Sequence, residues 1–175
     1  MSSIADYTAP DLLLAQPRGV TAANVIAELA EALERAGRLT DRTSFLDAVL
    51  TREKLSPTCL AIGWATPHAR LQHLPQLSFA LARPTRPLPW ISSSKTLVQL
   101  IWLFAVPEPE TKAYLTLIAS VARLSHDSLR VQQLLLAQDG RAMCDVLKEV
   151  PLRRPRQPEL VSGPGLGRSR PENSF

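Results

Sequence analysis

Cysteine is scarce in this chain of 175 residues: Cys59 and Cys144 are the only two, far apart, in neither a CxxC pair nor a disulfide framework. That sets aside a stapled secreted scaffold, and both thiols are expected to be reduced and structural, as in a cytoplasmic protein. Long hydrophobic runs are also missing. No apolar stretch reaches the roughly 18 residues that read as a membrane span, and the N-terminus MSSIADYTAPDLLLAQPRG has no charged segment followed by a long apolar core. The chain is therefore expected to be soluble, cytoplasmic and not membrane-spanning. Histidines number three, with no HExxH and no Cys/His cluster, so no metal site is expected. There is no GxGxxG or GxxxxGK loop to cradle phosphates, no internal repeat, and no expected cofactor.

What is present is enough apolar residue, 45% of the chain, for one domain with a sizeable core. The formal net charge is +4, but from Pro151 onward five arginines (Arg153, Arg154, Arg156, Arg168, Arg170) face only Glu159 and Glu172, so the body is close to neutral. The body carries no basic stripe interleaved with aromatics, and a nucleic-acid partner is not expected. The organisation read from composition is one domain over residues 1–150 and a Pro-, Gly-, Ser- and Arg-rich tail over 151–175 with almost nothing to bury, expected to be disordered.

Residues 20–36 place Val25, Ile26, Leu29, Ala32 and Leu33 at helical spacing, with Thr21 as N-cap and Gly37 past the end. A second helix is read over 41–54, capped by Thr40 or Asp41 and burying Phe45, Leu46, Val49 and Leu50. After Pro57 come three short apolar runs, CLAIGWA, LSFALA and TLVQLIWLFAV, read as strands, the last without alternation and so buried on both faces. From Pro109 the helical period returns with Tyr114, Leu115, Ile118, Val121 and Ala122 on one face. Helices follow near 127–137 (Leu129, Val131, Leu134, Leu135) and 141–149 (Met143, Val146, Leu147), divided by the turn at Asp139 and Gly140. The fold class is α/β, a mixed central β-sheet flanked by helices.

Of the three histidines, His73 and His126 read as solvated surface residues. His68 closes a strand at a proline-containing turn, and Arg52 precedes it by sixteen residues, near the end of a helix from which the chain must fold back. A guanidinium beside an imidazole makes poor sense if the ring only has to become cationic. It makes good sense if a ring nitrogen carries a phosphoryl group whose oxygens arginine can bind.

TREKLSPT, then Gly63, Ala65 and PHAR, resembles the active-site region of the enzyme IIA domains of the bacterial phosphotransferase system, fructose/mannitol and nitrogen-regulatory type: RE, a Ser/Thr, a Gly, then A-x-PH. LIWLFAVPEPETKAYLTLIASVARLSHD resembles that family's buried strand, Pro-marked turn and following helix, so the likeness spans roughly residues 10–150. The resemblance implies the enzyme IIA mannitol/fructose-type fold, His68 as phosphoacceptor and Arg52 as the phosphate-stabilising residue. Its implied partners are an HPr-type phosphocarrier and either a IIB component on the route to sugar uptake or a protein regulated by the phosphorylation state. It further suggests Nε2 as the phosphorylated nitrogen. Where mannitol- and nitrogen-type members carry a second histidine, this chain has Tyr114, whose hydroxyl can donate to a phosphate or to the His68 ring. Trp64, Thr66 and Cys59 also depart from the family's usual residues. Around this pair, Glu53 is read as orienting Arg52 or capping its helix, Thr58 as a phosphate donor or a turn cap, and Arg70 as a phosphate or partner contact or a solvated charge. Trp64 is read as part of a docking face, with Leu71, or as core.

Overall fold

The computed structural model describes residues 2–91 and 95–153. Both N-terminal helices form where their caps place them. Helix α1 (Ala22–Arg35) starts at Thr21, whose side chain accepts from Asn24 N, and is followed by Gly37 at φ 68°. Helix α2 (Arg42–Leu55) starts at Asp41, whose carboxylate accepts from Ser44 N at 3.0 Å. Each such cap contributes about 1 kcal/mol. The buried stripe of α2 runs Phe45, Val49 and then Glu53, so an acid occupies a position where the helical period asks for an apolar side chain.

The strands are β1 (Leu13–Leu14), β2 (Cys59–Leu60), β3 (Trp64–Ala65), β4 (His68–Leu71), β5 (Ser78–Ala82), β6 (Leu88–Pro89), β7 (Leu97–Val98) and β8 (Leu100–Pro107). β8 is the axis of the main sheet: β5 pairs with it antiparallel on one side, and β3 and β4 pair with it parallel on the other. β1 extends the sheet beyond β5, and β2 beyond β3. The sheet is mixed, as expected. Two runs read as single strands are divided. CLAIGWA folds into the β2–β3 hairpin, turned at Gly63 with φ 80°, a conformation open to glycine. TLVQLIWLFAV gives β7, which pairs with β6 in a separate ribbon, and β8, buried along its whole length.

Three helices cover the other face: α3 (Thr111–Leu124), α4 (Ser128–Leu136) and α5 (Gly140–Lys148). On α3 the buried line is Leu117, Ser120, Val121 and Leu124, while Leu115 and Ala122, read as core, face outward. Leu129 on α4 is likewise exposed, because that helix buries only Leu134 fully. Side-chain size divides the two layers. Toward α1 and α2 the sheet presents Ala65, Ala69, Ala80, Ala82 and Ala105 with Ile101 and Leu103. Toward α3–α5 it presents Trp64, Phe79, Leu100, Trp102, Phe104 and Val106. Among the described residues no helix is long and apolar enough to cross a membrane.

Residues 2–20, unassigned from sequence, wrap the α5 end: Ile4 N donates to Val150 O, and Leu152 N donates to Ser2 O. Residues 151–153, expected to begin the disordered tail, are docked here, with Arg153 N donating to the buried Ser120 Oγ at 3.1 Å. The remainder of that expected tail lies outside the described residues. Gly140 seals the junction, since a Cβ there would lie 2.0 Å from Pro10 O and 2.6 Å from Leu13 O. Gly140→Ala is therefore expected to cost about 3 kcal/mol, the upper end for overpacking, read as a lower urea midpoint. Gly37→Ala, whose Cβ meets nothing within 4 Å, is expected to cost only the roughly 1–2 kcal/mol of its left-handed backbone.

Candidate functional site

β3 and β4 keep one register along β8, Trp64 opposite Leu100 and His68 opposite Phe104, and are interrupted only by Thr66 and Pro67. Pro67 has no N–H to give the ladder, yet its carbonyl still accepts from Phe104 N at 3.0 Å. A residue before proline is held extended, so Thr66 has little backbone freedom. His68 therefore opens a strand instead of closing one, the expectation having missed that the strand resumes past the proline. Its register with Phe104 puts it on the face covered by α3.

His68 Nδ1 lies 3.0 Å from Thr66 O. A carbonyl only accepts, so Nδ1 carries the proton and Nε2 is the unprotonated nitrogen of the neutral ring. The pKa of His68 is lowered, chiefly by burial; the bond to Thr66 opposes this, Arg52 and Arg70 add to it, and Glu53 opposes it. The result is a half-buried imidazole that is neutral at physiological pH with a free Nε2 lone pair.

Arg52, on the last turn of α2, and Arg70, on β4, both act electrostatically on His68 and on Tyr114. Arg70 donates to Thr111 Oγ1 at 2.8 Å at the start of α3, which holds its guanidinium beside the site. No hydrogen bond or ion pair is found for the Arg52 guanidinium among the described residues, so it is available to an anion. Tyr114 lies with its ring centroid 5.7 Å from that of His68 and 5.7 Å, edge-on, from that of Phe104. Burial raises its pKa, against the two arginines, and the phenol stays protonated. The chain thus brings Arg52, His68, Arg70 and Tyr114 to one place.

Glu53 and Thr58 belong to a layer beneath them. Glu53 is fully buried and accepts from Thr58 N at 3.0 Å, Thr58 Oγ1 at 2.7 Å and Trp90 Nε1 at 2.8 Å. Both carboxylate oxygens are engaged by these donors, and no hydrogen bond or ion pair joins Glu53 to Arg52 among the described residues. Thr58 gives its hydroxyl proton to Glu53 and accepts from Thr66 N at 3.2 Å, so it acts as a clamp on Thr66 and has no proton left for a phosphate. The place of Glu53 on the buried stripe of α2 was a readable signal. Trp90, 37 residues further on, had none.

Trp64 is 2% exposed and packs against Trp102 at 5.4 Å, which removes it from any docking face. The large apolar side chains exposed on the β2–β3 hairpin are Leu60 and Ile62, and Leu71 is half-buried. His73 and His126 are exposed.

The family model described as "Phosphoenolpyruvate-dependent sugar phosphotransferase system, EIIA 2" matches residues 7–150. A relative from Bradyrhizobium diazoefficiens named "Nitrogen regulatory protein" is 32% identical over 145 residues, 82% of this chain and 94% of its own length. The crystal structure of nitrogen regulatory protein IIA-Ntr from Neisseria meningitidis superposes with a TM-score of 0.69 at 21% identity, covering 82% of this chain and 98% of that one. A solution structure of the Escherichia coli complex of enzyme IIAMTL and phosphorylated enzyme IIBMTL gives 0.67 at 17% identity, covering 79% and 95%. The fold is the one these IIA proteins share.

A base whose folded pKa lies below its unfolded value binds fewer protons when folded, so its contribution to stability rises with pH across that window. For His68 this contribution is complete above about 6.5, the ordinary histidine value, and is lost as pH falls through the lowered folded value. An NMR titration of the His68 ring is expected to give a midpoint below that ordinary value. The stability difference between wild type and His68→Gln should fall over the same acidic window and stay flat above it.

Proposed function

Because the chain belongs to the EIIA 2 family of the phosphoenolpyruvate-dependent sugar phosphotransferase system, we propose that it is a cytoplasmic phosphohistidine carrier with His68 as the phosphoacceptor. The observation that carries this reading is the Nδ1–H bond to Thr66 O, which leaves Nε2 as the nucleophile beside two guanidinium groups. In the transfer, Nε2 attacks the phosphorus of a phosphohistidine on an HPr-type carrier. The new N–P bond forms as the carrier's N–P bond breaks, and the electron pair of the broken bond stays with the carrier's ring. His68 keeps its Nδ1 proton and becomes cationic, and the Thr66 carbonyl strengthens its hold as that charge appears. Such transfers depend on positioning and charge neutralisation more than on covalent help. Arg52 takes the phosphoryl oxygens, Arg70 supports the field, and the Tyr114 phenol supplies a neutral donor. Onward transfer reverses the chemistry onto a IIB component for sugar uptake, a direction supported by the similarity to a IIA protein solved in complex with phosphorylated IIB.

A second reading is favoured by the relative named nitrogen regulatory protein, of whose length the alignment covers 94%. In it the same phosphorylation controls binding to a protein partner, and the phosphoryl group goes no further.

Incubation with phosphoenolpyruvate, enzyme I and HPr should add one acid-labile phosphate, seen by intact mass under alkaline conditions, and His68→Ala should abolish it. Phosphate gained equally by His68→Ala, or not gained at all, sinks both readings. Arg52→Ala should slow the gain about a hundredfold, the cost of losing one preorganised charge donor, with the fold intact. Passage to a candidate IIB protein supports relay; its absence together with state-dependent pulldown supports regulation.

A further inference from the structure

We infer that Trp90 is a positioning residue for the phosphoacceptor, acting through Glu53, Thr58 and Thr66 to hold His68 in the tautomer that frees Nε2; this rests on His68 being the phosphoacceptor. The chain of contacts is continuous. Trp90 Nε1 donates to Glu53 Oε2 at 2.8 Å, and Thr58 N donates to the same oxygen at 3.0 Å. Thr58 Oγ1 donates to Glu53 Oε1 at 2.7 Å and accepts from Thr66 N at 3.2 Å. Thr66 O then accepts the His68 Nδ1 proton at 3.0 Å.

Each link constrains the next. Trp90 is 3% exposed and Glu53 is fully buried, so solvent does not substitute for a missing donor. The indole N–H fixes the plane of the carboxylate, and the carboxylate fixes which way the Thr58 hydroxyl points. With that proton committed to Glu53, the lone pairs of Thr58 are what Thr66 N–H meets. Thr66 is thereby pinned on its amide side, and Pro67 restricts it on the other. Its carbonyl is left facing the imidazole. A buried carboxylate on the apolar stripe of α2 is costly unless it is fully hydrogen-bonded, and simple packing would be better served by a leucine. Clamping Thr58 is a use that the geometry supplies. Trp90 does not touch His68; it follows β6 of the β6–β7 ribbon, where its backbone N–H donates to Thr96 O at 3.3 Å.

Trp90→Phe keeps most of the ring and removes the donor; Thr58→Val breaks the chain one link nearer to His68. In the unphosphorylated protein, the ¹⁵N shifts of both His68 nitrogens should move in each variant toward the mixed tautomers of a free imidazole. The phosphorylation rate should fall about tenfold, roughly what one net hydrogen bond commands. The double variant should lose much less than the product of the two single losses, since the residues act in one chain. A residue that only fills space would lower the unfolding midpoint and leave the nitrogen shifts and the pH–rate profile unchanged, and that result for Trp90→Phe overturns the inference. If Trp90→Phe does not fold, unchanged His68 shifts in Thr58→Val overturn it equally. The tautomer is read without any phosphoryl donor, so a wild-type protein that takes no phosphate would sink the proposed function while leaving this test decisive.

Discussion

The parallel pairing of β4 with β8 is the constraint on which the site depends. Residues 68–71 lie beside 104–107 in the register that β3 set three residues earlier, so Pro67 interrupts a strand without displacing it. A slip of one residue would turn every side chain to the opposite face. His68 and Arg70 would then point toward α1 and α2, and Ala65 and Ala69, which allow those helices to approach closely, would be lost from that layer. The register is held because β8 is buried along its whole length and committed on both sides, to β5 as well as to β3 and β4.

Size asymmetry across the sheet then builds the surroundings of His68. The aromatic side chains of the sheet lie on the α3–α5 face and touch in series: Trp64 on Trp102, Trp102 on Phe79, Phe79 on Phe104, Phe104 on Tyr114, and Tyr114 on His68, with centroids 5.4–5.8 Å apart. The imidazole is thus the last ring of the aromatic core. That explains why burial is the leading cause of its lowered pKa. On the opposite face, the same strand is reached by the buried polar chain from Trp90 and Glu53. One layer keeps the ring neutral, and the other decides which nitrogen carries its proton.

Tyr114, standing where the family likeness led one to expect a second histidine, bears on the electrostatics around His68. The phenol, half-buried and held protonated, contributes a donor with no charge of its own near neutrality. Positive charge around His68 therefore comes from the guanidinium groups of Arg52 and Arg70.

Much of the frame was legible locally. Thr21 and Asp41 are capping residues followed by apolar periods, and those signals act within one turn of helix, so α1 and α2 begin where the sequence says. The unalternating run that became β8 reads as buried on both faces because no polar residue marks a wet side. The pairing of RE with PH pointed to Arg52 and His68 through a family likeness. Other features were not legible, for reasons of range. The turn at Gly63 split one apolar run into a hairpin, and Leu115 and Leu129 face outward because tertiary packing selects only part of each apolar stripe. The role of Glu53 was mistaken because its partners, Thr58 and Trp90, come from a turn and a separate ribbon. Sequence by itself determined the helices and the buried strand and marked Arg52 and His68 as candidates, since caps, periodicity and motif are properties of neighbouring residues. Only the tertiary structure decided which nitrogen of His68 holds the proton, because that proton is set by a carbonyl whose position depends on hydrogen bonds between residues far apart in the chain.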